Sequence, residues 1–303
     1  MPELPITVDG LDRRLLLALM RRPTDSFAEL SAQLGPSAST LSARYRRMRK
    51  HAVIRISGRT LPGFGGRHAY LVRAGSAPAT VARLAAAVAA EDNSRWVRIS
   101  RDGSELMCGV VTDSPATDPV LVRLPSETGL RFLRIHELLH VWGGLRAAVP
   151  EAAHGVGAAH AIDDTDAALM AELSVDGRAD LRPLAARLGV DPSTVSRRRR
   201  RLIDSGILYF EADVHPAALG GTGDAMLWMT VPPGRVREVG AALRPRDEVR
   251  FTAATSGPPD IVAHAHLLDN GAVVDFIDGT LAGLGVTGVE AVPMGRTLKR
   301  NAV

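Results

Sequence analysis

The sequence predicts an α+β protein in which one module is used twice, a cluster of three helices followed by a βαββαβ run. Two observations carry that prediction. First, Asp12–Ile54 lies on Asp166–Leu208 without a gap. Asp12 meets Asp166, Leu15 meets Leu169, Leu19 meets Leu173, Leu30 meets Leu184 and Leu34 meets Leu188. The match continues through Gly35 and Gly189 into two polar, basic stretches, where Ser39, Thr40, Ser42, Arg44, Arg46 and Arg47 meet Ser193, Thr194, Ser196, Arg198, Arg200 and Arg201. Second, after each of these stretches the apolar period changes from helical to alternating.

Composition sets bounds on the function. A chain of 303 residues with 46% hydrophobic and 23% charged residues has room for several cores and the balance of a globular protein. Thirty-seven cationic side chains against 33 anionic ones leave a net charge of +4, so clusters matter more than the sum. A single cysteine, Cys108, excludes a disulfide framework and a zinc site built from several thiolates. The start, MPELPITVDG, is not cationic, and LLLALM is far too short to cross a bilayer. A cytoplasmic protein with no membrane partner is expected.

Three helices are expected in each copy: Leu11–Met20, Phe27–Leu34 and Ser37–His51, then Thr165–Ser174, Leu181–Leu188 and Asp191–Ser205. A four-residue turn opened by glycine joins second to third, which is helix-turn-helix grammar. In the last helix Asp191 suits an N-cap, Pro192 a first helical position and Gly206 a stop. Val195 and Leu202 form its narrow core stripe, and five consecutive arginines, Arg197–Arg201, cover the rest. A helix of this length spans about 21 Å, enough to lie in a major groove. Ser193, Ser196 and Arg197 are expected to read bases, and Arg200 and Arg201 to meet phosphates, whereas Arg198 and Arg199 border the core. The candidate DNA contacts are thus Ser193, Thr194, Ser196, Arg197, Arg198, Arg200 and Arg201, with Ser39, Thr40, Ser42, Arg44, Arg46 and Arg47 in the first copy. Ala43 in the slot of Arg197 predicts a different or weaker preference there.

Each third helix is followed by a β-prone run, Val53–Ser57 or Ile207–Glu211, expected as a small wing or strand. The remaining order is strand Ala69–Arg73, helix Ala79–Ala90, strands Arg95–Ser100 and Leu106–Thr112, a short helix near Pro119–Leu124 and strand Leu130–Ile135. In the second copy it is Ala225–Val231, Gly234–Leu243, Val249–Ser256, Ile261–Leu267, Gly271–Leu281 and Val286–Val292. The βαββαβ order is that of a ferredoxin-like domain. The expected domains are a winged-helix-like helix-turn-helix over 1–60, a ferredoxin-like effector and dimerisation domain over 61–142, an alanine- and glycine-rich linker over 143–161, a second helix-turn-helix over 162–214 and a second ferredoxin-like domain over 215–303.

This arrangement resembles the Lrp/AsnC (feast/famine) family of transcriptional regulators in a tandem duplicated form. Ser193, Thr194, Val195, Arg198, Leu202, Gly206 and Ile207 match the family's recognition-helix pattern. The first copy keeps Leu41, Arg44 and Met48 but has Ala52 at the exit glycine. The resemblance implies a sequence-specific regulator of double-stranded DNA, not an enzyme, whose ferredoxin-like domains pair subunits into a homo-oligomer. It also implies a small effector, an amino acid or related metabolite, bound near a Gly-x-x-Asp turn. Gly257 and Asp260 fit that turn, whereas the first copy has Asp102-Gly103-Ser104-Glu105. Neither a cofactor nor a metal is expected.

Three motifs point elsewhere. His136-Glu137-Leu138-Leu139-His140 is a literal H-E-x-x-H, which needs a helix to bring both histidines to one zinc. The repeat places it at the end of a strand, where residues four apart are about 13 Å from each other. His264 and His266 flank Ala265 on an expected strand and can share a face, with packing as the default role. Siroheme decarboxylases resemble the same architecture, and His68, Tyr70 and Arg73 loosely echo their histidine and arginine. A tetrapyrrole enzyme is therefore the alternative function.

Overall fold

The computed structural model describes residues 4–60, 64–143 and 162–300. They form two compact units. The helical unit holds α1 (Gly10–Arg21), α2 (Phe27–Leu34), α3 (Ala38–Lys50) and β1 (Ile54–Thr60) with α6 (Asp164–Val175), α7 (Leu181–Leu188), α8 (Pro192–Asp204) and β6 (Leu208–Val214). The sheet unit holds β2 (His68–Gly75), α4 (Pro78–Ala90), β3 (Ser94–Ser100), β4 (Glu105–Thr112), α5 (Pro119–Arg123) and β5 (Phe132–Gly143). It is completed by β7 (Gly223–Thr230), α9 (Val236–Leu243), β8 (Val249–Thr255), β9 (Ile261–Leu267), α10 (Asn270–Asp275) and β10 (Gly288–Lys299). The expected linker, 143–161, lies outside the described residues except for Gly143.

In the helical unit the two copies are built alike because the same residues start and fill them. Asp9 and Asp163 cap α1 and α6, each in a reciprocal box with the acid three residues on. Leu15, Leu19, Leu30, Leu41 and Met48 fill the first core, and Leu169, Leu173, Leu184, Val195 and Leu202 the second. Gly35 and Gly189 close α2 and α7 at positive φ, turning the chain into the third helix. Ala52 takes the same left-handed region, φ 53°, that Gly206 occupies at φ 73°, so the first copy tolerates strain where the second has glycine. The run after each third helix forms one strand and not a two-stranded wing. β1 and β6 pair with each other, antiparallel, from Ile54↔Val214 to Thr60↔Leu208. Gly58 packs closely on Leu173, so the strand of the first copy lies against the first helix of the second.

The sheet unit is a closed barrel in the order β10-β3-β4-β2-β5-β8-β9-β7. Within it each copy keeps an antiparallel set of four, β5-β2-β4-β3 and β10-β7-β9-β8. Along each strand, side chains alternate between a helix-covered outer core, one per copy, and a core inside the barrel. Val72, Val97, Leu106 and Cys108 face Val81, Leu84 and Val88 of α4, while Leu227, Met229, Ile261 and Ala263 face Val239 and Leu243 of α9. The opposite phase, including Leu71, Met107, Val141, Met226, Trp228, Val262, Val292 and Met294, packs inside the barrel.

Two strands differ most from expectation. β5 continues past Ile135 to Gly143, and β10 continues past Val292 to Lys299. Their extra halves cross to the other copy, β5 onto β8 and β10 onto β3, with register shifts in both ladders. Every strand edge of the barrel is thereby paired within one chain. The sequence leaves open whether these domains pair within a chain or between chains; here they pair between the two halves of one chain.

A close contact between halves gives the first prediction. A Cβ added at Gly240 in α9 would overlap the indole of Trp142 on β5, whereas Gly283 faces open space. Gly240→Ala should destabilise the fold by about 1–3 kcal/mol, read as a lower urea midpoint, and Gly283→Ala should leave the midpoint unchanged or slightly raised.

Candidate nucleic-acid interface

The third helices present matching faces. In α8, Val195 and Leu202 are buried, while Ser193, Arg197, Arg200 and Arg201 are exposed and Ser196 is half-buried. Ser193, Ser196, Arg197, Arg200, Arg201, Asp204 and Ser205 line one open concavity. In α3 the same positions are Ser39, Ser42, Ala43, Arg46, Arg47, Lys50 and His51, with Leu41, Tyr45 and Met48 buried behind them. Among the described residues, neither Arg197, Arg200 nor Arg46 has an ion-pair partner, so these guanidiniums are available to an outside anion.

The other arginines have internal work. Arg198 reaches Asp163 at 2.7 Å and the fully buried Asp166 at 2.9 Å, and Arg201 also bonds Asp166. The first copy repeats this with Arg44 on Asp9 at 2.6 Å and Asp12 at 2.9 Å, and Arg47 on Asp12. These carboxylates sit at the N-terminus of the first helix of each copy, so the charge pairs brace the third helix against the first. Bonding from the Asp166 amide, then from Arg198, holds Asp163 below the usual carboxylate range. Arg198 and Arg44 are therefore positioned as braces first, which differs from the expected DNA-contact role. Arg201 and Arg47 stay about half exposed and can serve both purposes.

Arg199 lies over the Phe210 ring at 4.9 Å, and burial lowers its pKa. Its counterpart, Tyr45, meets the Phe27 ring at a tilt, with centroids 5.6 Å apart. Asp191 is the N-cap of α8, but its carbonyl, not its side chain, accepts from Thr194 and Val195. In α3 the Ser37 hydroxyl accepts from the Thr40 amide and lies 2.9 Å from Ser39 Oγ and 2.8 Å from Thr40 Oγ1. Thr40 and Ser39 are thus tied to their own cap, and Thr194 is half-buried.

The expected effector turn is also built. Gly257 adopts φ 68°, and Oδ2 of Asp260 accepts the Val231 amide at 2.8 Å. The Asp260 carbonyl accepts from Thr255, and its amide donates to Met229. This carboxylate thus fastens its turn to the end of β7, a role that sequence spacing does not reveal. In the first copy Asp102 accepts from Ser100 and Ser104, and these bonds lower its pKa to about 2.

Residues 8–49 and 162–203 each match the AsnC-type helix-turn-helix domain. The chain is 30% identical over 126 residues to the HTH-type transcriptional regulator FL11 of Pyrococcus furiosus, covering 41% of this chain and 83% of the relative. It is 32% identical over 119 residues to the HTH-type transcriptional regulator LrpA of Mycobacterium tuberculosis, covering 39% and 79%. The chain belongs to the Lrp/AsnC family. Among solved structures, the siroheme decarboxylase NirDL superposes with a TM-score of 0.62 at 13% identity, over 96% of this chain and 93% of that one. That likeness is one of fold.

In this Lrp/AsnC chain the residues that echo a tetrapyrrole site are otherwise engaged. Arg73 is buried, gives paired bonds to Glu105 and Glu290, and lies about equally close to the Phe132 and Trp228 rings, at 5.4 and 5.2 Å. His68 Nδ1 lies 2.7 Å from Glu137. The H-E-x-x-H stretch is on strand β5. His136 Nδ1 meets the Ser256 carbonyl at 2.9 Å, and the His140 and Trp142 rings meet at a tilt, with centroids 4.6 Å apart.

His264 and His266 do share a face, and it points into the barrel. There His264 Nε2 lies 2.5 Å from Asp224 Oδ1 and 2.8 Å from Arg98, which also bonds Asp224. Arg98 and Asp224 were not marked out by sequence reasoning. Their signal was a charge at the inward phase of RWVRIS and GDAMLWMT. Burial works against ionised Asp224, but His264 and Arg98 outweigh it and hold its pKa low. Burial lowers His264, takes His266 from 6.5 to about 4, and takes nearby Arg250 to about 10.

A pH dependence follows. His266 has a folded pKa below its unfolded value, so its share of stability is present above about pH 6.5 and is lost as pH falls toward 4. The lowered pKa of His264 acts with the same sign in that window, and the lowered Asp224 adds its loss only at more acid pH. The urea midpoint should fall across that window, and His266→Gln should make the fall shallower.

Proposed function

We propose that the chain is a sequence-specific DNA-binding transcriptional regulator and not an enzyme, with its ferredoxin-like halves serving as an effector-responsive body. The observation that carries this reading is the exposed face of α8, where Ser193, Arg197 and Arg200 project together beside Ser196 while Asp166 holds the helix from behind. A helix face with two unpaired guanidiniums and two hydroxyls suits the major groove. Arg197, one turn from Ser193, can donate two bonds to a guanine edge, and Arg200 can meet phosphate. The regulator relatives FL11 and LrpA support the same reading. The engaged Arg73 weighs against the tetrapyrrole alternative, because a carboxylate of that ligand would have to displace Glu105 and Glu290.

An amino acid or related metabolite is the proposed effector, bound near the Gly257–Asp260 turn. Ser256, His136 and Glu137 border that turn and add polar groups to it. Since no helix among the described residues is long and apolar enough to cross a membrane, a cytoplasmic setting fits the reading. Any further association of chains would use surfaces other than the barrel strands, whose edges are already paired.

The test is Arg197→Ala/Arg200→Ala, assayed by fluorescence anisotropy on the operator recovered with the parent protein. Affinity should drop about ten- to a hundredfold, and the slope of log affinity against log salt should become shallower by about one. Parent-like binding and an unchanged slope would remove α8 as the reader.

A further inference from the structure

The two heads are fixed to each other, and their faces are not the same. We infer that the operator consists of two unlike half-sites, one read by α8 through a guanine and one held by α3 mainly through phosphates, with a single chain covering both. This rests on the DNA-binding reading above.

Three observations support it. The first is that the seven-pair β1–β6 ladder joins one α3 to one α8. A homodimer presents two copies of one helix, and a symmetric site suits it. Here the pair is α3 with α8, joined within one chain.

The second is that the contacts between heads favour the unlike pairing. Arg178 of the second copy lies over Phe27 at 4.6 Å and Tyr45 at 5.4 Å, and donates to the carbonyls of Pro23 and Asp25. Arg49 of the first copy pairs with Asp176 of the second at 2.8 Å. The repeat aligns Phe27 with Leu181, Tyr45 with Arg199, Arg49 with Ile203 and Asp176 with Arg22. If two second copies paired, Arg178 would meet a leucine and an arginine where it now meets two rings. If two first copies paired, Arg49 would meet Arg22. Each like pairing loses the stacking or sets cation on cation, so the repulsive element needed for specificity is present.

The third is the exposed faces themselves. They agree at Ser39/Ser193, Ser42/Ser196 and Arg46/Arg200, and the braces behind them agree too. They differ at two exposed positions. Ala43 stands for Arg197, so the α3 half loses its two-pronged donor and offers a methyl that suits a thymine methyl. Lys50 stands for Asp204, so α3 ends in a cation where α8 ends in an anion. The α3 half gains phosphate attraction and gives up a guanine contact; the α8 half does the reverse.

The experiment is selection of bound sequences from a random double-stranded library by the full chain, repeated with Arg197→Ala. The expected result is a motif with two different halves, occupied at one chain per site in a stoichiometric titration. In the variant, discrimination at a guanine of one half should fall about ten- to a hundredfold while the other half is unchanged. A palindromic motif, two chains per site, or loss of information in both halves would overturn the inference and leave the regulator reading standing. No enriched motif at all would overturn both.

Discussion

The structure depends on strand pairing across the repeat. A lone strand leaves its amides and carbonyls to water, and a four-stranded sheet leaves two such edges. In this chain the four open edges of the two sheets are satisfied by the other copy, β3 by β10 and β8 by β5, and β1 and β6 each gain one partner in the other. The extended halves of β5 and β10 exist for this purpose, and the barrel closes because both are present. Duplication within one chain turns an association that would depend on concentration into an intramolecular one.

Once the copies are held together, selection on each can differ. What must stay the same is the device that sets the third helix. A buried aspartate in the first helix, Asp12 or Asp166, takes two arginines spaced one turn apart on the third, Arg44 and Arg47 or Arg198 and Arg201. Leaving that carboxylate without its guanidiniums would strand a buried charge, which is far more costly than the net value of the pair. Surface positions carry no such constraint, and Ala43/Arg197 and Lys50/Asp204 have diverged.

Much of this was legible in the sequence. The gapless match of Asp12–Ile54 on Asp166–Leu208 exposed the repeat, and α2, α7 and β9 have the bounds that their periodicity implied. Legibility fell where a feature depends on partners distant in sequence. The ends of β5 and β10 lack a clean alternation, contain His136, His140 and Pro293, and become strands only because an edge of the other copy receives them. Asp9 and Asp12 recur as Asp163 and Asp166, a signal that could have identified the braces, but spacing alone does not say which arginines they hold. The bond from the Val231 amide to Asp260 spans the turn and is likewise not written in the spacing. The pairing of His264 with Asp224 and Arg98 joins three strands, one from the other copy, and no local pattern announces it.

The central claim is that the two halves pair inside a single chain. Arg55 and Asp213 are Cα partners in the β1–β6 ladder, a separation suited to a disulfide. The variant Arg55→Cys/Asp213→Cys should, after mild oxidation, run on a denaturing non-reducing gel as a single chain, compacted relative to its reduced form. Disulfide-linked dimers as the main product would contradict the account, because they would mean that each β1 pairs with the β6 of another molecule.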